Sequence, residues 1–320
     1  MTTILALATR QAEQTIPLLS DALGHRGARL MVLHTETFPT ESMLDATLGP
    51  GGYRGALTNQ DGETIELDSI HAAWLACWDP AADLRRVALD RSVGAACRME
   101  ANAVLRGVLT SIAAPMVNDF AAVERAGLTA WQLAQAHHHG LRVQSTHLTN
   151  RPGSGGSFAM EVGPLITRRV GTSTRRSPST RVPFAATSNI QAGTMEEGLA
   201  LAPVTLQSRV DSIRGARVFV VGDTVFATEV PSGHPIELPA DVERGLVGLH
   251  RSSGLQVGGV DLLQQADGRW VFIEADPRGC WHPVHNQAHD VAGALADLLL
   301  ATRTTSAVGR ASTRCVCLPP

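Results

Sequence analysis

Three carboxylates toward the C-terminal end of the chain have the type and spacing to hold a metal ion. Asp261 stands in GGVDLL, and Glu274 and Asp276 stand in VFIEADPRG. Residues 258–264 and 270–274 read as a β-hairpin, closed by Ala266-Asp267-Gly268, because an Asp-Gly step between apolar runs marks a tight turn. Alternate residues of a strand share a face, so one acid on a strand and acids at i and i+2 of its neighbour bring oxygen ligands together. Such a set suits Mg²⁺, which takes a few carboxylates and completes its shell with phosphate oxygens and water. The same residues would serve equally as solvated strand ends, and geometry leaves both readings open.

Other groups offer less. His282, His285 and His289 follow the acids, without cysteines in register to close a four-ligand set. His137-His138-His139 end a predicted helix, where cationic groups complement the carbonyl end. Cys315-Val316-Cys317 sit in a polar tail, which reads as a terminal extension more simply than as a soft-metal site. No Ser-His-Asp order and no GxGxxG is present. All 27 basic residues are arginine, so a Walker lysine is excluded and any phosphate contact must come from guanidinium groups or backbone.

Composition bounds the rest. The chain has 320 residues, 44% of them hydrophobic, enough for a sizeable core in two or three lobes. A net charge of −3 gives no global attraction to nucleic acid or to an anionic membrane. The first residues lack the basic start and long apolar run of a signal peptide. Five cysteines, odd in number and without CxxC spacing, point to a reducing cytoplasm.

The elements that must position the acids follow from periodicity. Residues 3–8 and 28–34 read as strands flanking a helix over 11–24, and 53–67 as a hairpin around Asp61-Gly62. Residues 70–78 read as a buried strand and 84–113 as a long helix. A second helix is expected over 120–139, ending at Gly140. The Gly-, Ser- and Arg-rich stretch 151–194 reads as loop, with Arg168, Arg169, Arg175, Arg176 and Arg181 available to clamp phosphates or an acidic peptide, or to be solvated. Strands are expected at 205–210, 216–221 and 225–230, helices at 239–253 and 291–302. The predicted class is α/β with α+β lobes: 1–115, 116–195 with the arginine-rich loop, 196–305, and a tail over 306–320.

The run GGVDLLQQADGRWVFIEADPRGCW resembles the C-terminal signature of ATP-grasp proteins, and its Gly-x-Trp after the proline resembles the ATP-grasp maturases of microviridin-type ribosomal peptides. MVNDFAAVERAGLTAWQLAQAHHHGLRVQSTHLTN and LQSRVDSIRGARVFVVGDTVFATEV are similar to further family segments, and Glu100 falls where that family carries a glutamate. The matches are collinear over roughly residues 70–300. The resemblance implies an ATP-grasp fold with an N-terminal preATP-grasp lobe, a docked precursor or leader peptide, and contacts with other pathway enzymes, with a homodimer left open. It implies nucleotide contacts at Arg168, Arg169, Gln207 and Arg217, and Mg²⁺ on Asp261, Glu274 and Asp276 if Mg·ATP binds.

The chain departs from that pattern. Thr129 and Ser212 fall at family lysine or basic positions, Gln207-Ser208 replaces Gln-Glu, and Asp276 replaces asparagine. Arg278 and Cys280 replace neutral residues, and Trp74-Leu75-Ala76-Cys77 lacks the arginines expected after the tryptophan. Two expectations follow. One is a peptide-binding protein derived from a ligase, without cofactor. The other is an active ligase using ATP and Mg²⁺ to form an acyl phosphate on a peptide carboxylate for attack by a hydroxyl or amine. A ligase for a free amino acid or small carboxylate is a more distant third.

Overall fold

The computed structural model describes residues 1–12, 14–87, 90–168, 187–189, 203–278 and 287–302. Arg169, Arg175, Arg176 and Arg181, Cys280, His282 and His285, and the tail with Cys315 and Cys317 lie outside them. The chain divides into two compact units. The first comprises 1–11, 23–117 and the chain from 296, and the second comprises 12–22 and 118–295.

In chain order, the first part contains β1 (Thr2–Ala8), α1 (Ile16–Gly24), β2 (Ala28–His34), β3 (Met43–Gly49), β4 (Gly52–Thr58), β5 (Thr64–Glu66), β6 (Ile70–Leu75), α2 (Arg91–Ser111) and β7 (Met116–Val117). A parallel sheet runs in the order β2-β1-β6-β7. Six consecutive residues of β1, Thr3 to Ala8, are buried, as a central parallel strand covered on both faces requires. Ile4, Leu5, Leu7, Leu33 and Trp74 form its core. The predicted hairpin around Asp61-Gly62 is β4–β5, and β3 adds a third antiparallel strand. Gly55 makes that addition possible. Its φ is +136°, and a Cβ there would lie 1.9 Å from the Asp45 carbonyl oxygen. The long helix expected from 84 begins only at Arg91, where Asp90 caps it by accepting from the Ser92 backbone N–H.

The second part contains α3 (Phe120–Ala126), α4 (Thr129–His138), β8 (Arg142–Val143), β9 (Thr146–Thr149), α5 (Ser154–Val162), β10 (Leu165–Arg168), β11 (Thr187–Asn189), β12 (Val204–Ser208), β13 (Ser212–Val221), β14 (Thr224–Val230), α6 (Ala240–Ser253), β15 (Val257–Gln265), β16 (Trp270–Asp276) and α7 (Ala288–Ala301). Two sheets result. One runs β11-β10-β12-β9, and the other runs β14-β13-β15-β16-β8. In the five-stranded sheet, Val218, Val220, Val260, Leu262 and Phe272 pack with Leu133 and Ala136 of α4 and Leu246 and Leu249 of α6. That core anchors β13, β15 and β16, the strands carrying the candidate chemistry.

Two expectations are corrected. The single helix over 120–139 is broken into α3 and α4 at Gly127-Leu128, where Gly127 caps α3. Gly127 carries the break because glycine is a poor interior helix residue. The loop expected over 151–194 contains α5 and strands β10 and β11. β10 exists because its partner β12 supplies the pairing. α5 buries none of its residues, so its apolar pattern gives little signal in a Gly-Ser-rich sequence. Among the described residues no helix is long and apolar enough to cross a membrane.

Candidate functional site

The acids gather on one face of the five-stranded sheet because of a β-bulge. Leu262 opposes Phe272, yet Asp261 opposes Glu274, so the register shifts by one residue at Ile273. Without that extra residue Glu274 would share the face of Phe272, which lies in the core. With it, Asp261, Glu274 and Asp276 share the opposite face, Asp276 facing Gly259 across the ladder. Arg217 on β13 opposes Asp261, placing a cation in the same row.

That arginine is already engaged. Arg217 grips Asp261 through a two-pronged pair, Nε donating to Oδ1 and Nη2 to Oδ2, the latter at 2.8 Å. The residues are 8% and 3% exposed respectively, so this is an interior ion pair. Asp276 is held locally: its Oδ1 accepts from the Arg278 backbone N–H at 3.2 Å and from Arg278 Nε at 3.0 Å. Glu274 is half-buried and also has partners. Mg²⁺ requires open carboxylate oxygens. Two of the three acids are instead engaged by guanidinium groups, and among the described residues no three acidic, histidine or cysteine side chains stand together to hold a metal. As arranged, these residues do not fit a divalent clamp.

Two buried amides fix the backbone carrying the acids. Gln132 on α4 donates through Nε2 to the Ala275 carbonyl at 2.8 Å and accepts through Oε1 from the Ala275 N–H at 3.2 Å. It thus treats the residue between Glu274 and Asp276 as a strand neighbour would. Asn118 donates to the carbonyls of Val257 and Pro277 at 2.7 and 3.0 Å and accepts from the N–H groups of Gln256 and Val257. In the sequence both stand only within the family-like segment MVNDFAAVERAGLTAWQLAQAHHHGLRVQSTHLTN, which assigns neither a role.

His250 on α6 closes the site from beneath. It is 1% exposed, with Nδ1 3.0 Å from the Leu246 carbonyl oxygen and Nε2 without a hydrogen-bond partner. At Gly258 a Cβ would lie 2.9 Å from His250 Nε2 and 3.1 Å from the Asp276 carbonyl oxygen, so only glycine lets β15 pass. Burial holds the His250 pKa below the ordinary 6.5. The native state then keeps His250 neutral while the unfolded chain takes up a proton as pH falls through 6.5. Stability from this group is full above that value and is lost below it, by at most about 1.4 kcal/mol per pH unit. Urea denaturation at pH 7 and pH 5.5 is expected to show a smaller acid loss for His250→Gln than for the wild type. Equal losses would remove His250 as a contributor.

The remaining sequence candidates lie in the four-stranded sheet. Gln207 on β12 is fully buried and donates through Nε2 to Thr146 Oγ1 at 3.2 Å, while its Oε1 has no partner. Arg168 ends β10. Beside β9, a cavity of about 480 Å³ is lined by His147, Arg151, Ser154, Ser157, Phe158 and Glu161, among others.

Residues 3–124 match the family model of the MvdD pre-ATP grasp domain. The architecture is that of the ATP-grasp fold with a pre-ATP-grasp lobe, which bears out the motif resemblance to ATP-grasp maturases. Among solved structures, the chain is similar to the macrocyclase MdnC of Microcystis aeruginosa MRC, bound with precursor peptide MdnA. That match has 24% identity, covers 94% of this chain and 100% of that one, and has a TM-score of 0.83. The macrocyclase MdnB of the same organism matches at 25% identity, with 94% and 100% coverage and a TM-score of 0.80. A RiPP-associated ATP-grasp ligase of Chryseobacterium gregarium, in complex with ADP and a leader and core peptide, matches at 20% identity over 95% of this chain and 98% of that one, with a TM-score of 0.80. No curated protein matches by sequence.

Proposed function

We propose that this chain binds the precursor or leader peptide of a ribosomally synthesised, post-translationally modified peptide, on an ATP-grasp fold whose nucleotide chemistry is eroded. Support for the peptide comes from the likeness to structures that hold precursor, leader and core peptides. The observation that carries the erosion is the pairing of Asp261 with Arg217 and of Asp276 with Arg278, which sets a guanidinium against two of the three acids of the row. The absence of lysine from the whole chain acts in the same direction. The protein would work in the cytoplasm beside other enzymes of its pathway.

A second reading, an active ligase joining a peptide carboxylate to a hydroxyl or amine, is favoured by Gln207. A fully buried amide oxygen without a donor is costly, and a nucleotide N–H would satisfy it. In that reading Arg168, Arg169 and Arg217 would be the phosphate contacts that the motif resemblance implies, Arg217 only once released from Asp261. A nucleotide, where bound, would supply the phosphoryl group that makes a peptide carboxylate open to attack.

Calorimetric titration separates the two. Under the first reading, a precursor peptide encoded near this chain binds without nucleotide, and Mg·ATP gives no heat. Peptide-dependent release of ADP from ATP would overturn it in favour of the ligase, and absence of peptide binding would overturn it outright.

A further inference from the structure

We propose that the cavity between β9 and α5 is a binding pocket for a small organic carboxylate, one with an apolar body and a hydrogen-bond donor at its far end. The pocket lies on the reverse of the four-stranded sheet from Gln207. Gln207 and Thr146 are paired in register and joined by a side-chain hydrogen bond, so they share a face. Their strand neighbours Leu206 and His147, also paired, occupy the other. α5 covers that second face, sitting close at Gly155, where a Cβ would lie 3.1 Å from Leu206 Cδ1. Beside this contact a space of about 480 Å³ remains, of the size that small-molecule sites have.

The lining selects the ligand. Ser154, Ser157, Phe158 and Glu161 recur at i, i+3, i+4 and i+7, which is one face of α5. Arg151 stands where this row begins and Glu161 where it ends, and Ser154 and Glu161 are two turns, about 10 Å, apart. Neither the Arg151 guanidinium nor the Glu161 carboxylate has a partner among the described residues. His147 leaves Nε2 without a hydrogen-bond partner, and its ring lies against that of Phe158 with centroids 5.2 Å apart, so the two rings form an apolar wall. The loop carrying Arg151 is preset. Thr149 Oγ1 accepts from the Arg151 N–H at 2.9 Å, and Ser154 Oγ, 2.9 Å from Thr149 Oγ1, donates to the Arg151 carbonyl at 2.8 Å. A guanidinium fork at one end matches a carboxylate. Glu161 at the other repels a dianion such as phosphate and accepts instead from an N–H on the ligand.

Ligand-detected magnetic resonance titration of the full chain with benzoate and with p-aminomethylbenzoate tests the pocket, since neither probe is a peptide or a nucleotide. The wild type is expected to bind both at millimolar concentration. The aminomethyl acid should bind about threefold more tightly, because its ammonium reaches Glu161. Arg151→Gln should weaken both about tenfold, and Arg151→Lys, which keeps the charge, should recover part of that loss. Glu161→Gln should remove the preference for the aminomethyl acid while holding benzoate at least as tightly as the wild type. Absence of binding by both probes, equal affinities in wild type and Arg151→Gln, or a preference that survives Glu161→Gln would each overturn the proposal. Both positions are exposed, and far-ultraviolet dichroism on every variant checks that the fold is intact.

Discussion

Arg217→Met is expected to lower stability by about 3–5 kcal/mol, the usual cost of stranding one partner of an interior ion pair. Asp261 would be left 3% exposed, with neither carboxylate oxygen held by a guanidinium. Replacing both partners, as Arg217→Met with Asp261→Leu, should recover most of the loss, because no buried charge then remains. Urea denaturation of the four proteins gives the double-mutant cycle directly. The chain divides into two compact units, so transitions should be followed by two probes and ΔG taken only where they coincide. A single Arg217→Met variant as stable as the wild type would show that the pair is not formed in the folded protein.

The second large effect is expected at Asn118, which is fully buried and serves four backbone groups. Asn118→Ala leaves several of these without a partner, at roughly 2–4 kcal/mol. Asn118→Asp keeps the two acceptor bonds to Gln256 and Val257 but loses both donor bonds and buries a charge, so it should be no more stable than the alanine variant. Hydrogen exchange localises the effect. The amides of Gln256 and Val257 should exchange faster in Asn118→Ala, while amides of β1 in the other unit keep their protection.

The hairpins at Gly222-Asp223 and Asp267-Gly268 were legible because their turn chemistry is local, and β1, β2 and β6 because buried parallel strands are continuously apolar. α5 was hidden for the opposite reason: PGSGGSF carries turn residues, and no buried face offsets them. The three acids could be found by type and strand spacing. The grip of Arg217 on Asp261 could not, since only the register of β13 against β15 brings together residues far apart in sequence. Gln132 and Asn118 were equally silent: a buried amide that stands in for a strand neighbour looks, in sequence, like any polar residue on a helix or before one.

The extra residue at Ile273 also has a consequence for how this protein can change over time. A strand is an odd-even code, and the bulge inverts that code partway along β16: even positions before it face the oily side, and even positions after it face the charged side. Deletion of Ile273 would therefore exchange the two sets at once, sending Glu274 and Asp276 inward and Ala275 outward. Point substitutions can alter this site one group at a time. A change of length in that short segment would reverse it whole.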